Sequence, residues 1–317
     1  MSNITFPENE YKNIHNVLKL SDKNSMKQLN HHKIGYKNHL YLKSKTHKIF
    51  SKLSKKVRIL IIDISQGCYN KSLITTRLND FIIESQLDGL EKTHSSILIN
   101  LLSLNKSSKI EYNIWYPDKD LEFMDLEKYD YWICTGGPAS VLELDQNTNT
   151  KNTNWLKNTL FTLKLLQKLN KPGFAICLGH QLFAKAKGGI VQNYSKYPEF
   201  GTVDLSLCFS KKLIQINATH SDSVVVKPKN SKVIGWNKYN QCQILEYRLK
   251  NNQKIITIQN HPEISSYYLD VFRFIRYKDI TECQTQHQRK IIKNDKKSLK
   301  ILEYITKKII KTTKLSN

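Results

Sequence analysis

The sequence predicts an open α/β sheet, mostly parallel, with a short antiparallel appendage and a C-terminal helix. Three observations carry this expectation. The first is the continuous apolar run Val57-Arg58-Ile59-Leu60-Ile61-Ile62-Asp63, the pattern of a strand covered on both faces of a parallel sheet. The second is alternation. Further apolar runs end at Trp115, Cys134 and Ile176, and helical stretches lie between them, as from Trp155 to Leu169, where Trp155, Leu156, Leu160, Leu163 and Leu166 recur at helical spacing. The third is a change of rhythm after Gly201 to short, closely spaced segments at 213–217, 223–227, 231–236, 242–248 and 253–259, which read as antiparallel strands. In such a mixed sheet, sites gather at the C-terminal ends of strands.

At 317 residues the chain can build a sizeable core. No run of 18 apolar residues occurs, and the first thirty residues include Glu8, Glu10 and Asp22 without a continuous apolar stretch, so neither a membrane span nor a secretory leader is expected. The six cysteines, Cys68, Cys134, Cys177, Cys208, Cys242 and Cys283, form no C-x-x-C pair. Free thiols in a reducing compartment follow, and the cytoplasm is the expected location.

The formal charge of +23 comes from 50 basic against 27 acidic residues, and 44 of the basic residues are lysine. Arginine is the side chain that grips phosphate and guanine bidentately, so six arginines offer little for reading nucleic acid, and no specific nucleic-acid partner is expected. Abundant lysine, asparagine and isoleucine together match an AT-rich coding bias. The charge is also placed unevenly: residues 1–56 carry a net +9, residues 276–317 a net +8, and residues 57–275 only +6. Since the middle segment also holds nearly all the apolar runs, the expected organisation is a basic, disordered extension at 1–56, a folded domain at 57–275 and a lysine-rich helical tail at 276–317. In the tail, Ile291, Ile292, Leu299, Leu302, Ile305 and Ile309 supply an intermittent apolar stripe.

Three segments carry candidate chemistry. Gly173-Phe174-Ala175-Ile176-Cys177-Leu178-Gly179-His180-Gln181-Leu182 reads as a buried strand, a cysteine and then an amphipathic helix. A sharp strand-to-helix turn would project the Cys177 thiol from the sheet edge, and the helix N-terminus would favour its thiolate. Alone, the segment is equally a buried core cysteine. Ile255 to Glu263 ends a strand with His261 and Glu263, a base for that thiol and a carboxylate to orient the base. Tyr131 to Pro138 runs a buried strand into Gly136-Gly137, whose backbone N–H groups could stabilise an oxyanion. Either segment alone is an ordinary turn. His180 reads as a packing residue, since no second metal ligand lies at helical spacing, and no metal or cofactor is expected.

In order and spacing, the glycine loop, the C-x-G-x-Q elbow (Cys177, Gly179, Gln181) and Q-x-H-P-E (Gln259, His261, Pro262, Glu263) resemble the class I glutamine amidotransferase domain, over residues 57–270. That resemblance implies a flavodoxin-like fold and a Cys-His-Glu triad, with Cys177 as nucleophile, His261 as base and Glu263 as its partner. It further implies Gly137 and Leu178 as oxyanion donors, and Gly136 and Gln181 as contacts to glutamine. Glu199-Phe200-Gly201 and His220-Ser221-Asp222 are similar to the E-x-G and H-x-D-x-V patterns of GMP-synthase-like members, which puts Glu199, Gly201, His220 and Asp222 in the glutamine pocket. Two departures appear. Ala175 stands where glycine is usual, and Asn260 stands where aromatic residues are frequent, in the manner of the γ-glutamyl peptidases of the same superfamily, whose sequences Val233-Ile234-Gly235-Trp236 also resembles.

Glu143 to Trp155 reads as an Asn/Thr-rich solvated insertion. The family resemblance implies hydrolysis of the γ-glutamyl amide through a thioester, with ammonia passed to an unknown acceptor, for which a separate synthase subunit is the candidate. A γ-glutamyl peptidase with the same acyl chemistry is the alternative, and a non-catalytic module binding through its basic ends is the reading from another class.

Overall fold

The computed structural model describes residues 53–65, 94–102, 104, 107–117, 124–145, 151–193, 199–264, 301–304 and 307. The parallel part is built from β1 (Val57–Ile62), β2 (Ile110–Trp115), β3 (Tyr131–Cys134) and β4 (Gly173–Ile176), each of which ends where its apolar run ends. Between them lie α1 (His94–Leu101) and α2 (Lys151–Lys168), and α3 (Leu178–Ala186) follows β4 directly. Further strands follow among the described residues: β5 (Ile190–Asn193), β6 (Glu199–Leu207), β7 (Ser210–His220), β8 (Asp222–Val226), β9 (Ser231–Trp236), β10 (Ile244–Arg248) and β11 (Lys254–Ile258).

Nine strands form one sheet in the order β2-β1-β3-β4-β11-β10-β9-β6-β7. The first five are parallel neighbours, with β11 beside β4. This is the doubly wound order of the flavodoxin type. The antiparallel strands β10, β9, β6 and β7 continue it edge to edge, so the appendage shares the backbone ladder of the parallel half. Among the described strands only β5 and β8 stand apart, as a two-stranded antiparallel pair.

Strand alternation sends side chains to two cores. On one face Ile59, Ile61, Ile133, Phe174 and Ile176 pack with Ile97, Leu98 and Leu101 of α1. On the other, Leu60, Ile62, Trp132 and Ala175 pack with Leu156, Leu163 and Leu166 of α2 and with Leu182 and Phe183 of α3. A β4 side chain larger than hydrogen at Gly173 would enter the Trp132 indole, since a Cβ there falls 2.0 Å from its ring.

The expected C-terminal helix is seen at residues 301–304, where Ile301 and Leu302 are buried in the first core with Leu207 and Ile214. Tyr304 stacks on Phe209 at 5.1 Å. The rest of that tail, apart from residue 307, and residues 1–52 of the basic extension lie outside the described residues. The Asn/Thr-rich stretch differs from its expected solvated loop. Val141–Asp145 is a 3₁₀ turn with Val141 buried, and α2 already starts at Lys151 with Thr153 buried in its first turn. Short polar side chains suit a helix start, where they satisfy free backbone donors, and this is why asparagine and threonine there do not signal a loop. Residues 146–150 lie outside the described set.

Candidate active site

β4 and β11 are parallel neighbours with Ile176 opposite Ile258, so the residues just past their ends are forced together. The chain reverses at Cys177, which caps α3 with φ 48° and ψ −108°. A non-glycine residue in that region costs about 1–3 kcal/mol and marks a turn held by its surroundings. Here the Cys177 N–H donates to the Ile258 carbonyl at 2.8 Å, tying the elbow to β11. Gln259 continues β11, and its Nε2 points at the Cys177 sulfur at 3.8 Å.

His261 and Glu263 follow in an irregular turn that the His261 N–H pins to the Asn217 carbonyl of β7 at 2.8 Å. His261 Nδ1 donates to Glu263 Oε1 at 2.7 Å, and both residues are buried. This leaves His261 Nε2 without a hydrogen-bond partner among the described residues. Burial would raise the Glu263 carboxyl, but the adjacent His261 and His94 outweigh it and hold it down to about 2. Burial lowers the basicity of His261, Glu263 opposes this, and the net shift is downward.

Gly136 sits where these groups converge. A Cβ built on it would lie 2.9 Å from His261 Cε1, 3.2 Å from Cys177 Cβ and 3.7 Å from His94 Cε1. The sheet therefore brings the Cys177 and His261 side chains to the same small space beside Gly136. A Cβ on Gly137 would fall 2.3 Å from the Ile64 carbonyl oxygen and 3.0 Å from Leu178 Cδ2, so its neighbours leave room only for glycine. Leu178 opens α3, and a first-turn N–H has no intrahelical acceptor.

The remaining pocket candidates form a chain beside this centre. The Gln181 amide donates to the Asp222 carbonyl at 2.8 Å and to Gln259 Oε1 at 3.3 Å. Asp222 in turn accepts from Ser140 Oγ at 2.5 Å and from Asn193 Nδ2 at 2.6 Å, joining the loop after β3 to the β5–β8 pair. His220 lies 3.1 Å from the Asp222 carbonyl through Nδ1 and 2.9 Å from Glu199 through Nε2. Burial would raise the Glu199 carboxyl, but His220, Gln243 and Asn237 surround it and hold it below the usual range. Gly201 lies on β6 at φ 117°, a conformation that favours glycine. His180 faces the protein interior, bonded to Thr257 Oγ1 at 2.7 Å, and burial depresses it to about 3.

One member of the constellation has no counterpart among the sequence motifs. His94, at the start of α1, places Nδ1 3.3 Å from Glu263 Oε1 and its ring 5.7 Å from that of His261. The signal that could have found it is topological: the helix after β1 begins at the strand edge where Cys177 and His261 must lie, so a titratable residue in its first turn faces them. Donor atoms of His94, His261 and Glu263 fall within 4.8 Å of one another, and a divalent ion among them would have to separate His261 from Glu263.

A thiol on a strand-to-helix elbow, beside an imidazole with one free nitrogen, is suited to cysteine-based acyl chemistry. Known proteins narrow the class. Residues 91–271 match the glutamine amidotransferase class-I family, and the chain belongs to that family. It is 30% identical over 155 residues to a glutamine-hydrolyzing GMP synthase subunit from Sulfolobus acidocaldarius, covering 47% of this chain and 73% of that one. It is 29% identical over 154 residues to gamma-glutamyl peptidase 4 of Arabidopsis thaliana, covering 45% of this chain and 57%, less than two thirds, of that one. The fold is similar to the crystal structure of a glutamine amidotransferase from Thermotoga maritima, with a TM-score of 0.55 at 16% identity over 82% of this chain and 99% of that one. Among the described residues no helix is long and apolar enough to cross a membrane.

Proposed function

We propose that the chain hydrolyses the γ-amide of glutamine through a γ-glutamyl thioester on Cys177. His261 Nε2 takes the thiol proton, and the thiolate adds to the γ-carbonyl carbon. The carbonyl oxygen becomes an oxyanion that accepts from the Gly137 and Leu178 N–H groups, and such preorganised donors are often the largest single contribution to rate. Collapse breaks the C–N bond, and His261 returns its proton to the departing nitrogen, releasing ammonia. Water activated by the same imidazole then cleaves the thioester, giving glutamate and the free thiol. Glu263 holds the ring with Nδ1 protonated and stabilises the imidazolium formed twice in the cycle. Gly136, Gln181, Glu199, Gly201, His220 and Asp222 shape the glutamine pocket, Gln181 and Asp222 by fixing the loops that line it.

The observation that carries this reading is the His261 ring, tied by Nδ1 to Glu263 at 2.7 Å, with Nε2 unpaired among the described residues and the ring beside the Gly136 position that Cys177 also abuts. We further infer that residues 57–275 are the catalytic unit and that the ammonia acceptor is a separate synthase chain. The Sulfolobus relative, a GMP synthase subunit by name, supports that partner. A γ-glutamyl peptidase with the same acyl steps and an amino-acid leaving group is the second reading, supported by the Arabidopsis relative and by buried Asn260 in the site turn. Incubating the purified protein with glutamine, glutathione and γ-glutamyl dipeptides separates the two. Release of glutamate and ammonia from glutamine supports the first, cleavage of the peptides alone supports the second, and no cleavage of any of them refutes both.

A further inference from the structure

We infer that His94 is a positioning residue of this site: it donates from Nδ1 to Glu263 and so fixes the carboxylate on which His261 depends. The inference rests on the Cys177–His261–Glu263 reading and adds a fourth side chain to it.

The geometry is specific to one oxygen. Glu263 Oε1 accepts from His261 Nδ1 at 2.7 Å, and His94 Nδ1 approaches the same oxygen at 3.3 Å, short of hydrogen-bond geometry, while Glu263 Oε2 has no hydrogen-bond partner among the described residues. A carboxylate held by one donor can still turn about its terminal torsion. A second donor from another element removes that freedom. The His94 contact is the longer and less well aligned of the two, as catalytic hydrogen bonds often are before substrate binds. Both histidines are nearly sealed from solvent, at 3% and 2% exposure, so the contacts act without competition from water.

His94 is itself held by a dedicated support. At the end of β1, fully buried Asp63 accepts at Oδ2 from the Ser95 hydroxyl and from the Ser95 N–H, capping the first turn of α1. Its other oxygen accepts from the Ser65 N–H at 2.9 Å and hydroxyl at 2.5 Å, and the Ser65 hydroxyl lies 3.3 Å from the His94 N–H. The Thr135 hydroxyl, immediately before Gly136, accepts from the Ile64 N–H at 2.9 Å and approaches Asp63 at 3.5 Å. The backbone of His94 is thus anchored to the same turn that abuts Gly137. A residue needed only to fill space would not require that its ring nitrogen meet a buried carboxylate.

Alkylation of Cys177 by iodoacetamide at neutral pH tests this without reference to the substrate, in the full-length protein, with peptide mapping to identify the modified thiol. A wild-type Cys177 no more reactive than a free thiol would refute the proposed function. With a reactive wild type, His94→Ala should slow alkylation about tenfold, the equivalent of one charge-assisted hydrogen bond. His94→Gln, which keeps a donor, should recover to within about threefold of wild type, and His94→Phe, which keeps the ring, should not. Phe as fast as wild type, or Gln as slow as Ala, overturns the inference and assigns His94 to packing. The tautomer decides independently of folding in the variants and of thiol reactivity: nitrogen-15 NMR of histidine-labelled wild type should show His94 protonated at Nδ1, and a bare Nδ1 refutes the role.

Discussion

Gly136→Ala tests the site at its tightest point. The added methyl would lie 2.9 Å from His261 Cε1 and 3.2 Å from Cys177 Cβ, against ordinary carbon contacts of about 3.5–4.0 Å. Either the imidazole or the elbow must therefore move by roughly 0.5–1 Å. Neither is a flexible chain end: His261 is held by Glu263 through its side chain and by Asn217 through its backbone, and Cys177 by Ile258. A displacement near 1 Å of a positioned reacting group costs about 10²-fold, or roughly 2.7 kcal/mol of barrier. Gly136 has no positive φ, so alanine strains no backbone and the fold should persist. Steady-state glutamate release should show kcat reduced about 100-fold with KM changed far less, and thermal melting should stay within a few degrees of wild type. Wild-type turnover in a folded Ala variant would mean that His261 and Cys177 do not meet at Gly136, and the mechanism built on that meeting would fail with it.

Cys177→Ser should abolish hydrolysis while leaving the melting temperature close to wild type, because a hydroxyl is a poor nucleophile where a thiolate is expected; retained turnover would reassign the nucleophile. His261→Ala should be nearly as damaging, and Glu263→Gln less so, since the carboxylate orients without transferring a proton; kinetics in the reverse order would exchange their roles. Burial holds His180 neutral down to about 3, so an unfolded histidine binds a proton below about 6.5 that the folded one refuses. Stability should thus fall as pH drops through that window, by up to about 1.4 kcal/mol per unit, and denaturant titrations of His180→Gln at pH 7 and 5 should show a shallower fall than wild type. A chain trimmed to residues 56–277 should keep hydrolysis if it folds without the buried Leu53, Ile301 and Leu302, and should lose any salt-sensitive binding of RNA; a folded but inactive product would place part of the site in the tail.

The legible parts of the fold share one property: apart from exposed Arg58, their strands are buried at every residue. β1, β3 and β4 are apolar runs because both faces are covered, so their ends at Ile62, Cys134 and Ile176 could be read residue by residue. The thiol, imidazole and glycine loop were legible for a related reason, since each sits directly after such a strand. Pairing partners were not. Nothing in the rhythm of 231–259 distinguishes strands beside the sheet from strands continuing it, because edge-to-edge hydrogen bonding is made by the backbone and leaves no side-chain signature. β6 was not expected as a strand although its signal is present: its start at Glu199, Phe200 and Gly201 carries a pocket motif, while Val203, Leu205 and Leu207 alternate with Thr202, Asp204 and Ser206 in the rhythm of a half-buried strand. His94 was illegible because its meaning lies in a contact with Glu263, 169 positions away in sequence, made through the first turn of a helix with no motif of its own.

The unfavourable backbone at Cys177 shows how such distant parts sustain the site. Strain of about 1–3 kcal/mol persists only where surroundings over-determine it, and three separate elements do so here. β11 takes the Cys177 N–H through Ile258 at 2.8 Å, and α3 returns the Gln181 N–H to the Cys177 carbonyl at 3.0 Å. The loop after β3 closes the third side: a Cβ on Gly179 would lie 2.9 Å from the Thr135 carbonyl oxygen, so α3 approaches that loop as closely as glycine permits. Because the same loop continues into Gly136 and Gly137, the packing that strains the thiol into place also sets the distance between it and the proposed oxyanion donor. Nucleophile position and oxyanion geometry are therefore one structural variable, and a substitution that relaxed the elbow would disturb both at once.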